Sequence, residues 1–200
     1  NGSNELIEFI GHVFLGPGID LVMADRAFAI YRLIGEMFRA RVVAAPMRAL
    51  THDLDAMRAA ITPATRVVFI ANPNNPTGTM VDGPAVDRFL DAVPDHVVVV
   101  LDEAYIELLP EARQPDSLRH VREGRKVIVL RTFSKTYGLA GLRIAYAAAP
   151  EEGIRLLHRV RQAFNFNAMA LEAAEAALQD QAFVRRTRRM VRDGLALFER

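Results

Sequence analysis

The chain has 200 residues, 51% hydrophobic and 24% charged, with 25 basic against 24 acidic side chains and a net charge of +1. A chain this long buries enough surface to fold without a staple. The absence of cysteine excludes disulfides, thiolate metal sites and a thiol nucleophile. Balanced charge argues against a strongly basic nucleic-acid binder, and no apolar run approaches the ~18 residues of a membrane span.

The chain opens on Asn1-Gly2-Ser3-Asn4, without methionine and without a signal-peptide pattern. An amphipathic helix is predicted over 5–15. Strands follow over 21–24, 41–45, 66–70, 97–101 and 127–131, with helices near 27–39, 53–60 and 85–93 between them. Asp53 is a plausible N-cap for the third helix. Val67-Val68-Phe69-Ile70 and Val97-Val98-Val99-Val100 are apolar without alternation, as in strands buried on both faces of a parallel sheet. From 151 onward the pattern reads as helical to the end. Five arginines between 185 and 192 read as a solvated helix face rather than a nucleic-acid patch. The alternation implies an α/β fold, a three-layer α/β/α sandwich on a mostly parallel sheet. In such folds ligands gather at the carboxyl ends of the strands.

Three polar clusters fall at those ends. Of the 25 basic residues only Lys126 and Lys135 are lysines, so an amine nucleophile has two candidates. Lys135 follows a buried strand among small and hydroxyl residues, as a Schiff-base amine would. Thr132, Ser134 and Arg143 could bind a phosphate beside it. Asp102, after another buried strand, could hold a pyridine nitrogen protonated, cap a helix or bind magnesium, although no P-loop precedes it. Asn72-Pro73-Asn74-Asn75-Pro76-Thr77-Gly78 is a rigid turn able to fix an amide side chain. Ser3 and Asn4 stand at a helix start, which suits an anion or an ordinary cap. The five histidines have no metal-ligand spacing, so no metal site is expected.

Asn1-Gly2-Ser3-Asn4-Glu5, the 72–78 heptad, Asp102-Glu103-Ala104-Tyr105-Ile106-Glu107, and 131–143 from Arg131-Thr132-Phe133-Ser134-Lys135 to Gly141-Leu142-Arg143 carry a resemblance over essentially the whole chain. The sequence resembles the fold-type I pyridoxal-phosphate aminotransferases, most closely the histidinol-phosphate aminotransferases. The resemblance implies pyridoxal 5'-phosphate as cofactor, with Lys135 as the covalent attachment point and proton carrier. It implies Asp102 on the pyridine nitrogen and Asn75 and Tyr105 on the phenolic oxygen. Ser3, Asn4, Thr132, Ser134 and Arg143 would hold the phosphate, and Phe28 would stack on the ring. Arg26 stands where the family usually has proline, and Thr136 is bulkier than the residue usual after the lysine.

The resemblance further implies a small-molecule amino donor, L-histidinol phosphate, and a 2-oxo acid, 2-oxoglutarate. Neither nucleic acid nor membrane is expected as a partner; a cytoplasmic homodimer is. Residues 1–200 would form the large domain, with 181–200 leading towards a small C-terminal domain. An aromatic aminotransferase or a threonine-phosphate decarboxylase of the same fold, or a non-catalytic cofactor-binding regulatory domain, are the competing readings.

Overall fold

A computed structural model describes residues 1–198. Its centre is a six-stranded sheet in the order β2-β1-β5-β6-β7-β8. The strands are β1 (Asp20–Ala24), β2 (Arg41–Ala45), β5 (Thr65–Ala71), β6 (Val98–Asp102), β7 (Val127–Thr132) and β8 (Ala145–Ala148). All neighbours are parallel except β7 and β8. The non-alternating runs occupy the centre: Val67 to Ile70 and Val99 to Leu101 are buried on both faces, as that pattern requires.

Helices α1 (Ser3–Phe14), α2 (Ile30–Met37) and α6 (Glu151–Val160) pack together. Helices α3 (Leu54–Ala59) and α4 (Gly83–Ala92) pack with each other, and α5 (Leu118–Arg122) lies against β7. Right-handed crossovers put these two sets on opposite faces, which gives the expected three layers. Asp53 caps α3 as expected, its carboxylate accepting from the Ala56 amide at 3.1 Å. From β1 the chain turns outward to β2, and from β5 it turns the other way to β6. The switch point therefore lies between β1 and β5, where the strand ends leave a crevice.

Besides the unexpected helix α5, three features depart from the sequence reading. A small hairpin, β3 (Met47–Arg48) with β4 (Thr51–His52), follows β2, and Ala49 and Leu50 at its turn both have positive φ. Strand β8, Ala-Tyr-Ala-Ala, has little intrinsic β preference; it forms because the chain reverses just before it and β7 offers an open edge. The helical C-terminal stretch is broken over 161–167, where Asn167 caps α7 (Ala168–Gln179) through its bond from the Ala170 amide at 2.8 Å. Helix α8 (Gln181–Phe198) then follows. The final two positions of the 181–200 helix expectation lie outside the described residues.

Candidate active site

Asp102 is the last residue of β6 and is 5% exposed. The Tyr31 hydroxyl donates to its Oδ2 at 2.7 Å, and the Ala104 amide donates to Oδ1 at 3.2 Å. Burial pushes the Asp102 carboxyl above its ordinary range, while the Tyr31 hydroxyl, the Ala104 amide and the charge of Lys135 pull it back. No basic side chain bonds this carboxylate directly among the described residues, so its charge is left facing the cavity.

Beside it, the 72–78 turn closes on itself. Asn72 donates to the Val81 carbonyl and accepts from the Val81 amide, both at 3.0 Å. Asn74 reaches Thr77 Oγ1 at 2.7 Å, and the Gly78 amide bonds the Asn74 carbonyl at 2.9 Å. These bonds leave Asn75 pointing across the crevice, where its Nδ2 donates to the Tyr105 hydroxyl at 3.4 Å. Lys135, beyond β7, stands with Nζ 5.3 Å from the centre of the Tyr105 ring. The other lysine is remote from this chemistry, with its Nζ on the Asp95 carbonyl at 2.5 Å.

A third group of residues could cradle an anion. Thr132 Oγ1 donates to Ser134 Oγ at 3.0 Å and accepts from the Ser134 amide at 3.1 Å. Arg143 Nη1 reaches Ser134 Oγ at 3.4 Å, and its other bonds go to the carbonyls of Ala140 and Asn1 rather than to a carboxylate. Arg143 is left-handed, with φ 54° and ψ 52°. The start of α1 meets it, because the Gly2 amide bonds the Arg143 carbonyl at 3.0 Å. That helix has no side-chain cap, so amides of its first turn are open to an anion. Gly2 has φ 78° and ψ −176°, and a Cβ there would lie 2.5 Å from Arg143 Nη2.

All ten residues singled out from the sequence line one cavity of about 180 Å³. Ser3, Asn4, Thr132, Ser134 and Arg143 bring hydroxyl, amide and cationic groups to it, and Asp102, Asn75, Tyr105, Lys135 and Phe28 complete the lining. Sequence reasoning missed Tyr31, which also lines it. Tyr31 lies in the first turn of α2, three residues after Phe28, and its ring meets Phe28 edge-on at 5.7 Å. Of the final-helix arginines, Arg185, Arg188, Arg189 and Arg192 line a separate groove against 108–113 that shares Pro73, Asn75 and Tyr105 with the cavity. Among the described residues no cluster of His, Asp or Glu could hold a metal ion, and no helix is long and apolar enough to cross a membrane.

The model of the family "Aminotransferase class I and II" matches residues 1–196. The chain belongs to this family. It is 50% identical over 199 residues to a histidinol-phosphate aminotransferase of Akkermansia muciniphila, covering 99% of this chain and 54% of that protein. It is 52% identical over 196 residues to histidinol-phosphate aminotransferase 1 of Cupriavidus pinatubonensis, covering 98% and 52%. The chain therefore spans about half the length of the curated relatives it matches. Among solved structures, the histidinol-phosphate aminotransferase of Sinorhizobium meliloti in complex with pyridoxal-5'-phosphate superimposes with TM-score 0.88 at 30% identity, covering 94% of this chain and 51% of that one.

Proposed function

We propose that this chain is the cofactor-binding large domain of a pyridoxal-phosphate-dependent histidinol-phosphate aminotransferase. It acts on L-histidinol phosphate with 2-oxoglutarate, as part of a cytoplasmic homodimer in histidine biosynthesis. The observation that carries the reading is the joining, in one cavity, of a buried carboxylate that no basic side chain hydrogen-bonds among the described residues, a single lysine and a cluster of hydroxyl, amide and guanidinium groups suited to an anion. Those three features match a cationic ring nitrogen, an aldehyde and a phosphate. The half-length coverage of the relatives fits a large-domain assignment for 1–200.

Pyridoxal phosphate supplies an electron sink for the electrons of a broken bond at the substrate α-carbon. The protein does the rest. Asp102 balances a protonated ring nitrogen. Asn75 and Tyr105 hydrogen-bond the phenolic oxygen, and Phe28 covers the ring. Ser3, Asn4, Thr132, Ser134 and Arg143 hold the phosphate, with charge-assisted bonds from the guanidinium. Lys135 provides the amine for covalent attachment and moves a proton at the substrate α-carbon.

The test is spectroscopic. With added pyridoxal phosphate the protein is expected to turn yellow, to bleach with borohydride and to carry the label on Lys135. Absence of a Lys135-dependent band would leave a bare scaffold, the regulatory-domain alternative. Comparison of histidinol phosphate, aromatic amino acids and threonine phosphate as substrates separates the aminotransferase from its relatives of the same fold.

A further inference from the structure

We propose that Tyr31 is a positioning residue for Asp102, its hydroxyl orienting the carboxylate and keeping it ionised towards the cavity. The inference rests on the functional reading above for its catalytic meaning, and on geometry for its physical content.

Tyr31 is fully buried in the first turn of α2. Its ring lies parallel to Phe69, with centroids 4.4 Å apart and planes 7° from one another. It also meets Phe28 edge-on at 5.7 Å and 89°. A phenol held on two sides has little freedom to swing, so its hydroxyl direction is set by packing. Phe69 and Asp102 are on adjacent strands whose register pairs Ala71 with Asp102. Donor and acceptor are therefore fixed by the same sheet, and the 2.7 Å bond joins them.

The bond has work to do because a buried carboxylate tends towards its neutral form. A neutral Asp102 could not hold a ring nitrogen protonated. The groups that face it are Tyr31 from α2, Lys135 from the loop after β7, and Ala104 on its own loop; the Glu103 charge also feels it, and Tyr105 lines the same cavity. Of these, Tyr31 is the side chain that bonds it directly. Burial and the Asp102 charge raise the Tyr31 phenol well above its ordinary range, so it remains a donor. The same ring that bonds Asp102 supports Phe28, which couples the carboxylate to the residue covering the opposite part of the site.

Tyr31→Phe keeps both aromatic contacts and removes the donor. In the cofactor-free protein, a carboxyl-carbon NMR titration of Asp102 is expected to move to higher pH. Tyr31→3-fluorotyrosine, a stronger donor of the same shape, is expected to move it lower. With pyridoxal phosphate, Tyr31→Phe should weaken binding about tenfold, as loss of a hydrogen bond to a charged group does. It should have no further effect in an Asp102→Asn background. An unchanged Asp102 titration in both Tyr31 variants, or an equal loss of affinity with and without Asp102, overturns the inference. The cofactor-free titration decides it whether or not cofactor binds. Failure of the parent protein to take pyridoxal phosphate counts against the functional reading alone.

Discussion

Lys135 Nζ stands 5.3 Å from the centre of the Tyr105 ring, whose hydroxyl accepts a hydrogen bond from Asn75. The amine is thus held at the mouth between two loops that leave different strands. If Lys135 has the proposed role, Lys135→Ala should lower turnover by about 10⁴-fold or more, since that role joins the covalent amine and the proton carrier in one group. Lys135→Arg should not restore it, because a guanidinium does not lose its proton. Single-turnover kinetics checks both, and activity retained in either variant rejects the assignment.

Gly2 sits in a backbone region that side chains rarely enter, against the Arg143 guanidinium. Gly2→Ala should cost about 1–3 kcal/mol of strain and push Arg143 off Ser134. The expected result is weaker binding of pyridoxal phosphate and a smaller loss for pyridoxal, which has no phosphate. Equal losses for both ligands would place the damage outside the cradle.

Glu103 is 1% exposed, and its Oε2 accepts from Arg131 Nε at 2.9 Å and Nη2 at 2.8 Å. Arg131→Met leaves that carboxylate buried and unpaired. A loss of about 3–5 kcal/mol is expected in urea unfolding, partly recovered when Glu103→Gln is added. A loss below 1 kcal/mol would mean that water reaches Glu103.

Asp20 accepts from Arg41 at 2.8 and 2.5 Å and from the Thr62 hydroxyl at 2.7 Å. The Arg41 bonds hold its carboxyl below the ordinary range, against burial, with Thr62 adding to the effect. A carboxyl lowered by folding contributes its full stability above the unfolded value of about 3.9 and loses it as pH falls through the folded value. Stability should therefore drop below about pH 4, and Asp20→Asn should flatten that drop. Urea midpoints at pH 6 and pH 3 measure the difference between the two proteins.

The buried strands and the four polar motifs were legible because each carries its signal locally. A run such as Val67-Val68-Phe69-Ile70 has no polar face to put outward, and the heptad's turn bonds lie within ten residues. What the sequence hid depended on distant partners. Strand β8 exists because β7 has a free edge and Arg143 turns the chain. The β3–β4 turn places Ala49 and Leu50 at positive φ, where turn chemistry favours glycine or asparagine, and Thr79 Oγ1 donates to the Leu50 carbonyl at 2.7 Å. Tyr31 reads as an ordinary apolar-face residue until β6 brings Asp102 to its hydroxyl. The break over 161–167 contains no proline, and the Asn167 cap that restarts the helix was not read as such.

The anion cradle joins the first residues of the chain to Arg143, a bond that spans 142 positions between Asn1 and that guanidinium. Closing so long a loop carries an entropic cost that assembly of the sheet between its ends offsets. Phosphate-type ligands should therefore bind late in refolding, after the β7 edge has formed, and bound ligand should stabilise the domain as a whole rather than one helix. Recovery of anion binding is then a clock for completed folding.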